Sequence, residues 1–174
     1  PNTNQGGSTG KTPWDSVIVF TYKVVVNKYA DKLPTEGGKK LSGAEFTLTK
    51  KLPNNGTKNI AVVKSEDGAS FTFKGLDDGQ YVLTETKTPD KYNTIAPIEF
   101  TVTAGHAVEW NGKTRTDVLT SLTGDVTSGE ITFTPSDDCA QLSTDVVNKS
   151  GSLLPETGGI GTTIFYIVGV VLVL

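Results

Sequence analysis

The sequence predicts an all-β sandwich, on three observations. Short segments alternate apolar and polar residues with period two, turn signals separate them at regular intervals, and helical periodicity is scarce. The segments are SVIVFTYKVVV (16–26), AEFTLTK (44–50), SFTFKGL (70–76), QYVLTET (80–86), IEFTVTA (98–104), SGEITFTP (128–135) and STDVVNK (143–149). Phe46 and Leu48 alternate with Thr47 and Thr49, and Phe71 alternates with Thr72 before Phe73. NNG, EDG, DDG and NGK supply the turns, since Asn, Asp and Gly tolerate the backbone angles a tight reversal needs. No segment of ten or more residues carries a helical period, although TRTDVLTSLTG is expected to hold one helical turn.

Composition narrows the function. The 174 residues carry sixteen basic and nineteen acidic side chains, a net charge of −3, which argues against nucleic acid as a partner. Cys139 is the one cysteine and cannot form an internal disulfide, so it reads as a semi-exposed thiol. His106 is the one histidine, read as a loop or surface imidazole. Catalysis and metal binding both need partners that a lone His or Cys lacks. No cofactor, no metal site and no conventional enzyme activity is expected.

The chain divides into four parts. Residues 1–13 (PNTNQGGSTGKTP) are polar and Gly-rich and read as a flexible leader or interdomain linker. GGSTGKT is not a phosphate loop, because Gln5 stands where the first glycine belongs and Pro13 follows where a helix should start. Residues 14–150 hold the sandwich, 151–159 form a linker containing LPETG, and 160–174 are an apolar membrane segment. Fifteen residues span roughly 22 Å as a helix against a hydrocarbon core of about 30 Å. That segment is therefore expected to continue beyond residue 174. With no methionine in the chain, the start is expected to be cut as well.

Three polar residues fall on apolar faces. Side chains two apart on a strand share a face. That rule puts Lys28 with Val24 and Val26, Glu85 with Tyr81 and Leu83, and Asn148 with Thr144 and Val146. Each alone could be a strand-end lysine snorkelling to water, with Glu85 as its ion-pair partner. Together in a dry place their chemistry becomes specific. Burial lowers a lysine pKa and raises a glutamate pKa, so a neutral amine would meet a carboxamide beside a carboxylic acid. The product would be a Lys–Asn isopeptide bond, with ammonia lost.

On VVNK, LSGAEFTLTK, GLDDGQYVLTETKTPDKYN, DVVNKSG and LPETGG, the chain resembles the Cna protein B-type domain found at the C-terminal end of Gram-positive pilin subunits. The resemblance covers nearly all of residues 16–174 and implies an Ig-like or prealbumin-like β-sandwich. YVLTETKTPDKYN resembles the family's E-box, which places Glu85 at the catalytic glutamate of bond formation. Lys28 and Asn148 align with the bond-forming pair. The stretch between Lys28 and Leu41 is longer and more irregular than the family's pattern, so Lys23 stays open as an alternative. Asn148-Lys149-Ser150 also fits a glycosylation sequon, which is a coincidence if the source is bacterial.

Leu154-Pro155-Glu156-Thr157-Gly158 matches the L-P-x-T-G motif of sortase substrates. The resemblance implies cleavage between Thr157 and Gly158 and transfer of the Thr157 carbonyl to an amine of another pilin subunit or of peptidoglycan. Pro155 keeps the site extended and out of a helix. Residues 160–174 would hold the chain transiently at the membrane. The expected place is the wall or pilus of a Gram-positive cell. The expected role is structural, as a pilus subunit's C-terminal module. The alternative is the stalk of a wall-anchored adhesin whose host ligand binds upstream or in the loops of residues 104–130.

Overall fold

The computed structural model describes residues 19–110 and 115–151. Eleven strands form in chain order: β1 (Tyr22–Ala30), β2 (Lys39–Lys40), β3 (Glu45–Lys51), β4 (Thr57–Ile60), β5 (Val62–Lys64), β6 (Ser70–Leu76), β7 (Gly79–Lys87), β8 (Ile98–Trp110), β9 (Arg115–Ser128), β10 (Thr134–Pro135) and β11 (Gln141–Asn148). One sheet has the order β10-β11-β1-β6-β5, with β2 pairing the far end of β1. The other has the order β4-β3-β7-β8-β9. The all-β sandwich expected from alternation is the observed class.

The core lies between the two sheets. Val24, Val26, Phe71, Phe73, Leu142 and Val146 from the first meet Phe46, Leu48, Tyr81, Leu83, Phe100 and Val102 from the second, each nearly or fully buried. These residues recur at every second position of their strands, so pleating turns one face inward while polar neighbours stay wet. Phe46 meets Phe71 edge-on at 4.9 Å between ring centroids, an arrangement suited to ring quadrupoles.

The first and last strands are neighbours and run parallel, in register from Lys23↔Gln141 through Lys28↔Val146 to Ala30↔Asn148. The other strand pairs are antiparallel. Because β1 and β11 are parallel, the start of β1 and the end of β11 lie at opposite ends of the sandwich.

Two sequence readings are corrected. The described part of TRTDVLTSLTG, residues 115–124, belongs to strand β9 rather than to a helical turn, and β9 pairs with β8 from Glu99↔Ser128 to Trp110↔Arg115. The spacing of Val118, Leu119 and Leu122 imitates a helix, but its β-branched residues and a long partner strand favour the ladder. His106, read as a loop or surface imidazole, is exposed, and its backbone lies within β8. SGEITFTP contributes only the last residue of β9, Ser128, and Thr134–Pro135 as strand, because Gly129 at φ 109 breaks the extended run that β9 would otherwise continue. Strands β4 and β5 were not anticipated: Thr57–Ile60 and Val62–Lys64 are mostly exposed and carry weak alternation. The expectations for residues 1–13, LPETG and 160–174 fall outside the described residues. Among the described residues no helix is long and apolar enough to cross a membrane.

Candidate functional site: a buried lysine, glutamate and asparagine

Lys28, Glu85 and Asn148 are 0%, 6% and 0% exposed. A fully buried lysine is rare unless something answers its charge. Strand alternation accounts for all three placements. Lys28 continues the buried series Tyr22, Val24, Val26 on β1, and Asn148 continues Leu142, Thr144, Val146 on β11. Since Lys28 pairs with Val146 across the parallel ladder, Asn148 lies two residues further along the adjoining strand, on the same face. Glu85 ends the inward series of β7 in the opposite sheet, directly across the ladder from Phe46. Lys23 is exposed on the other face of β1, which removes it from this cluster.

The hydrogen bonds join Glu85 to Asn148. Asn148 Nδ2 donates to Glu85 Oε1 at 2.8 Å and to Oε2 at 3.0 Å. Glu85 Oε2 also accepts from the Ile95 backbone N–H at 3.1 Å and from Thr88 Oγ1 at 3.3 Å. These donors fix the carboxylate against the amide. Asn148 Oδ1 is buried without a hydrogen-bond partner, which costs about 1–3 kcal/mol for an acceptor taken out of water.

Lys28 Nζ donates to the backbone carbonyls of Val146 at 3.2 Å and Tyr29 at 3.4 Å. Burial lowers its pKa to about 8, with the charge of Glu85 pulling the other way. The effect on reactivity is large. At pH 7 roughly one amine in ten is neutral with a pKa of 8, against about one in three thousand at the ordinary value. The readings of a snorkelling ammonium and a simple Lys28–Glu85 pair do not fit, because the ammonium is dry and the carboxylate is spent on Asn148.

Thr88 and Ile95 escaped the sequence reading. Thr88 stands three residues past Glu85, but Ile95 reaches it only because the 88–95 segment folds back, and no local pattern encodes that return. Among the described residues no group of three or more His, Cys, Asp or Glu is placed to hold a metal ion.

The family described as "SpaA: Prealbumin-like fold domain" matches residues 26–116, which include Lys28 and Glu85 and stop before Asn148. No curated protein matches. Among solved structures, the chain is similar to the group B streptococcus pilus 2b backbone protein, at 21% identity and TM-score 0.43, covering 86% of this chain and 48% of that one. It is also similar to a C-terminal fragment of the pilus adhesin SpaC from Lactobacillus rhamnosus GG (24%, TM-score 0.42, 78% and 47%). A third similarity is to BcpA, the major pilin subunit of Bacillus cereus (20%, TM-score 0.41, 74% and 28%). The chain thus spans under half the length of each of these. With the family match running over more than half of its residues, the chain belongs to the SpaA prealbumin-like domain family.

Proposed function

We propose that this domain is the C-terminal structural module of a pilus subunit, welded internally by a Lys28–Asn148 isopeptide bond and joined to its neighbour or to the wall by sortase. What supports the reading is the burial of an amine, a carboxamide and a carboxyl group contributed by β1, β11 and β7, with the carboxamide hydrogen-bonded to the carboxyl group. In this mechanism the neutral Lys28 amine attacks Cγ of Asn148. A new N–C bond forms, the Cγ–Nδ2 bond breaks, and Glu85 carries the displaced amine proton to Nδ2, which leaves as ammonia. Oδ1 becomes the carbonyl oxygen of the new amide.

The bond would suit a load-bearing part. Tension drawn through the start of β1 and the end of β11 shears their parallel ladder. The weld would pass that tension from Lys28 straight to Asn148 and leave the residues between them slack. LPETG supports the second covalent step, in which sortase cleaves between Thr157 and Gly158 and transfers the Thr157 acyl group to an amine of the next subunit or of peptidoglycan.

Intact mass tests the first step. The protein is expected to weigh one ammonia less than its sequence, and Glu85→Ala to restore the full mass; a wild-type mass equal to the sequence rejects the weld. Incubation with sortase and a small amine tests the second, with a product ending in Thr157 expected and no cleavage overturning it.

A further inference from the structure

One of the groups bonded to Glu85 differs in kind from the others. Asn148 Nδ2 and the Ile95 backbone N–H donate to the carboxylate and can do nothing else, since an amide nitrogen does not accept. Thr88 Oγ1, at 3.3 Å from Oε2, is a hydroxyl, which both accepts and donates. It lies in turn 2.7 Å from Thr94 Oγ1. Glu85 is buried, Thr88 half-buried and Thr94 exposed. Two hydroxyls in series therefore link the carboxylate to water.

The backbone bends to make this line. A four-residue turn, closed by the Tyr92 N–H donating to the Pro89 carbonyl at 3.2 Å, holds Lys91 at φ 71 and brings Thr94 back to Thr88. The Asn93 N–H then donates to the Lys149 carbonyl at 2.9 Å, and Tyr92 bridges to Ser150. The loop that carries Thr94 is thus fastened to the end of the strand that carries Asn148.

A buried reaction between Lys28 and Asn148 has a proton to lose. With a pKa of about 8, Lys28 is still an ammonium in roughly nine chains of ten at pH 7, and only the free amine attacks. Its hydrogen-bond partners are the Val146 and Tyr29 carbonyls. Carbonyls accept a hydrogen bond but have no proton to pass on, so the surplus proton has no route through them.

We propose that the Thr88–Thr94 hydroxyl pair is a proton relay that carries this surplus proton from Glu85 to water. The inference rests on the weld proposed above. A Lys28 Nζ–H bond breaks and its proton moves to Glu85. Glu85 then donates to Thr88 as Thr88 donates to Thr94 and Thr94 donates to water. Each hydroxyl gains one proton and gives up another, the carboxylate is restored, and the proton leaves as hydronium. A neutral amine and an ionised Glu85 are left, which is the state the attack on Asn148 needs.

The rate of ammonia loss tests this. The full chain, assembled by chemical ligation and kept in urea, starts unfolded and unreacted. Dilution begins folding, which circular dichroism follows, while intact mass follows the lost ammonia. At fixed pH and ionic strength, the wild-type rate is expected to be independent of imidazole concentration. Thr88→Ala should slow the loss several-fold, and imidazole, a small proton carrier, should restore it. Thr94→Ala should act in the same way by less, because water fills part of the place of an exposed hydroxyl. Thr88→Ser and Thr94→Ser should keep the wild-type rate. Alanine variants that react as fast as wild type overturn the relay. So does a slowed rate that imidazole leaves unchanged, which would make Thr88 a support for Glu85 and nothing more. A wild-type chain that folds without losing ammonia rejects the weld itself, and the relay with it.

Discussion

Two ladders, the shorter between β1 and β11 and the longer between β8 and β9, differ most in where their side chains go. β1 and β11 meet in the middle of a sheet, with inward faces packed on a second sheet and a lysine and an asparagine dry among the apolar side chains. The β8–β9 ladder is anchored in the sandwich at Glu99↔Ser128 and reaches outside it, as a two-stranded arm, at Trp110↔Arg115, where Val108, Trp110 and Val118 are exposed. The first is parallel and the second antiparallel, but both are paired along their length, so the presence of pairing does not set their exposure. Burial distinguishes them. In the first ladder every second side chain is committed to the core, and an inward polar group has nothing to bond except another inward polar group. In the outer part of the second, a polar or apolar residue costs little at an exposed position.

The largest expected contrast is mechanical. With the weld in place, pulling the domain by its two ends should give no lengthening between Lys28 and Asn148. Glu85→Ala should release the 120 positions separating those two residues, up to roughly 400 Å at full extension. A single-molecule pulling trace lacking that added length in the variant breaks the comparison. The same variant should melt roughly 15–25 °C lower, taking the weld as worth about 5 kcal/mol by analogy with a disulfide closing a loop of this size.

Next in size is the core itself. Phe73→Ala, at a fully buried position, should cost about 3–5 kcal/mol in denaturant unfolding. Below it comes a pH effect that sharpens the account. Asn148→Ala removes the acceptor and leaves Lys28 as a free amine whose folded pKa is lowered to about 8 from 10.5. Between those values the unfolded lysine holds its proton more tightly than the folded one, so unfolding takes up a proton and stability rises with pH. The variant should gain up to about 3 kcal/mol from pH 8 to 10.5 relative to wild type, where an amide nitrogen has no such titration. Equal pH profiles would contradict the assignment of Lys28. Smallest of all, Val118→Asp on the outer face of the arm should change stability by less than about 0.5 kcal/mol; a loss comparable to Phe73→Ala would mean that face is covered.

The same contrast explains what could be read from the sequence. Lys28, Glu85 and Asn148 were visible because each interrupts an inward apolar series, and a period of two leaves no choice of face. β3, β6, β7 and β11 were legible for the same reason. The arm was not. Its outer half has no inward face to enforce alternation, so TDVLTSL shows a spacing that fits a helical turn equally well, and only the partner strand decides. β4 and β5 escaped because edge strands exposed on most positions carry little pattern. The donors that fix Glu85, Thr88 and the Ile95 amide, depend on a loop returning to its own strand, which single-sequence reasoning does not see.

The most direct measurement is a proteolytic peptide map read by tandem mass spectrometry. The account predicts a branched fragment in which the peptide containing Lys28 is joined to the peptide containing Asn148, with one ammonia missing and fragment ions placing the junction at those two side chains. Recovery of both as separate linear peptides of full mass would contradict it.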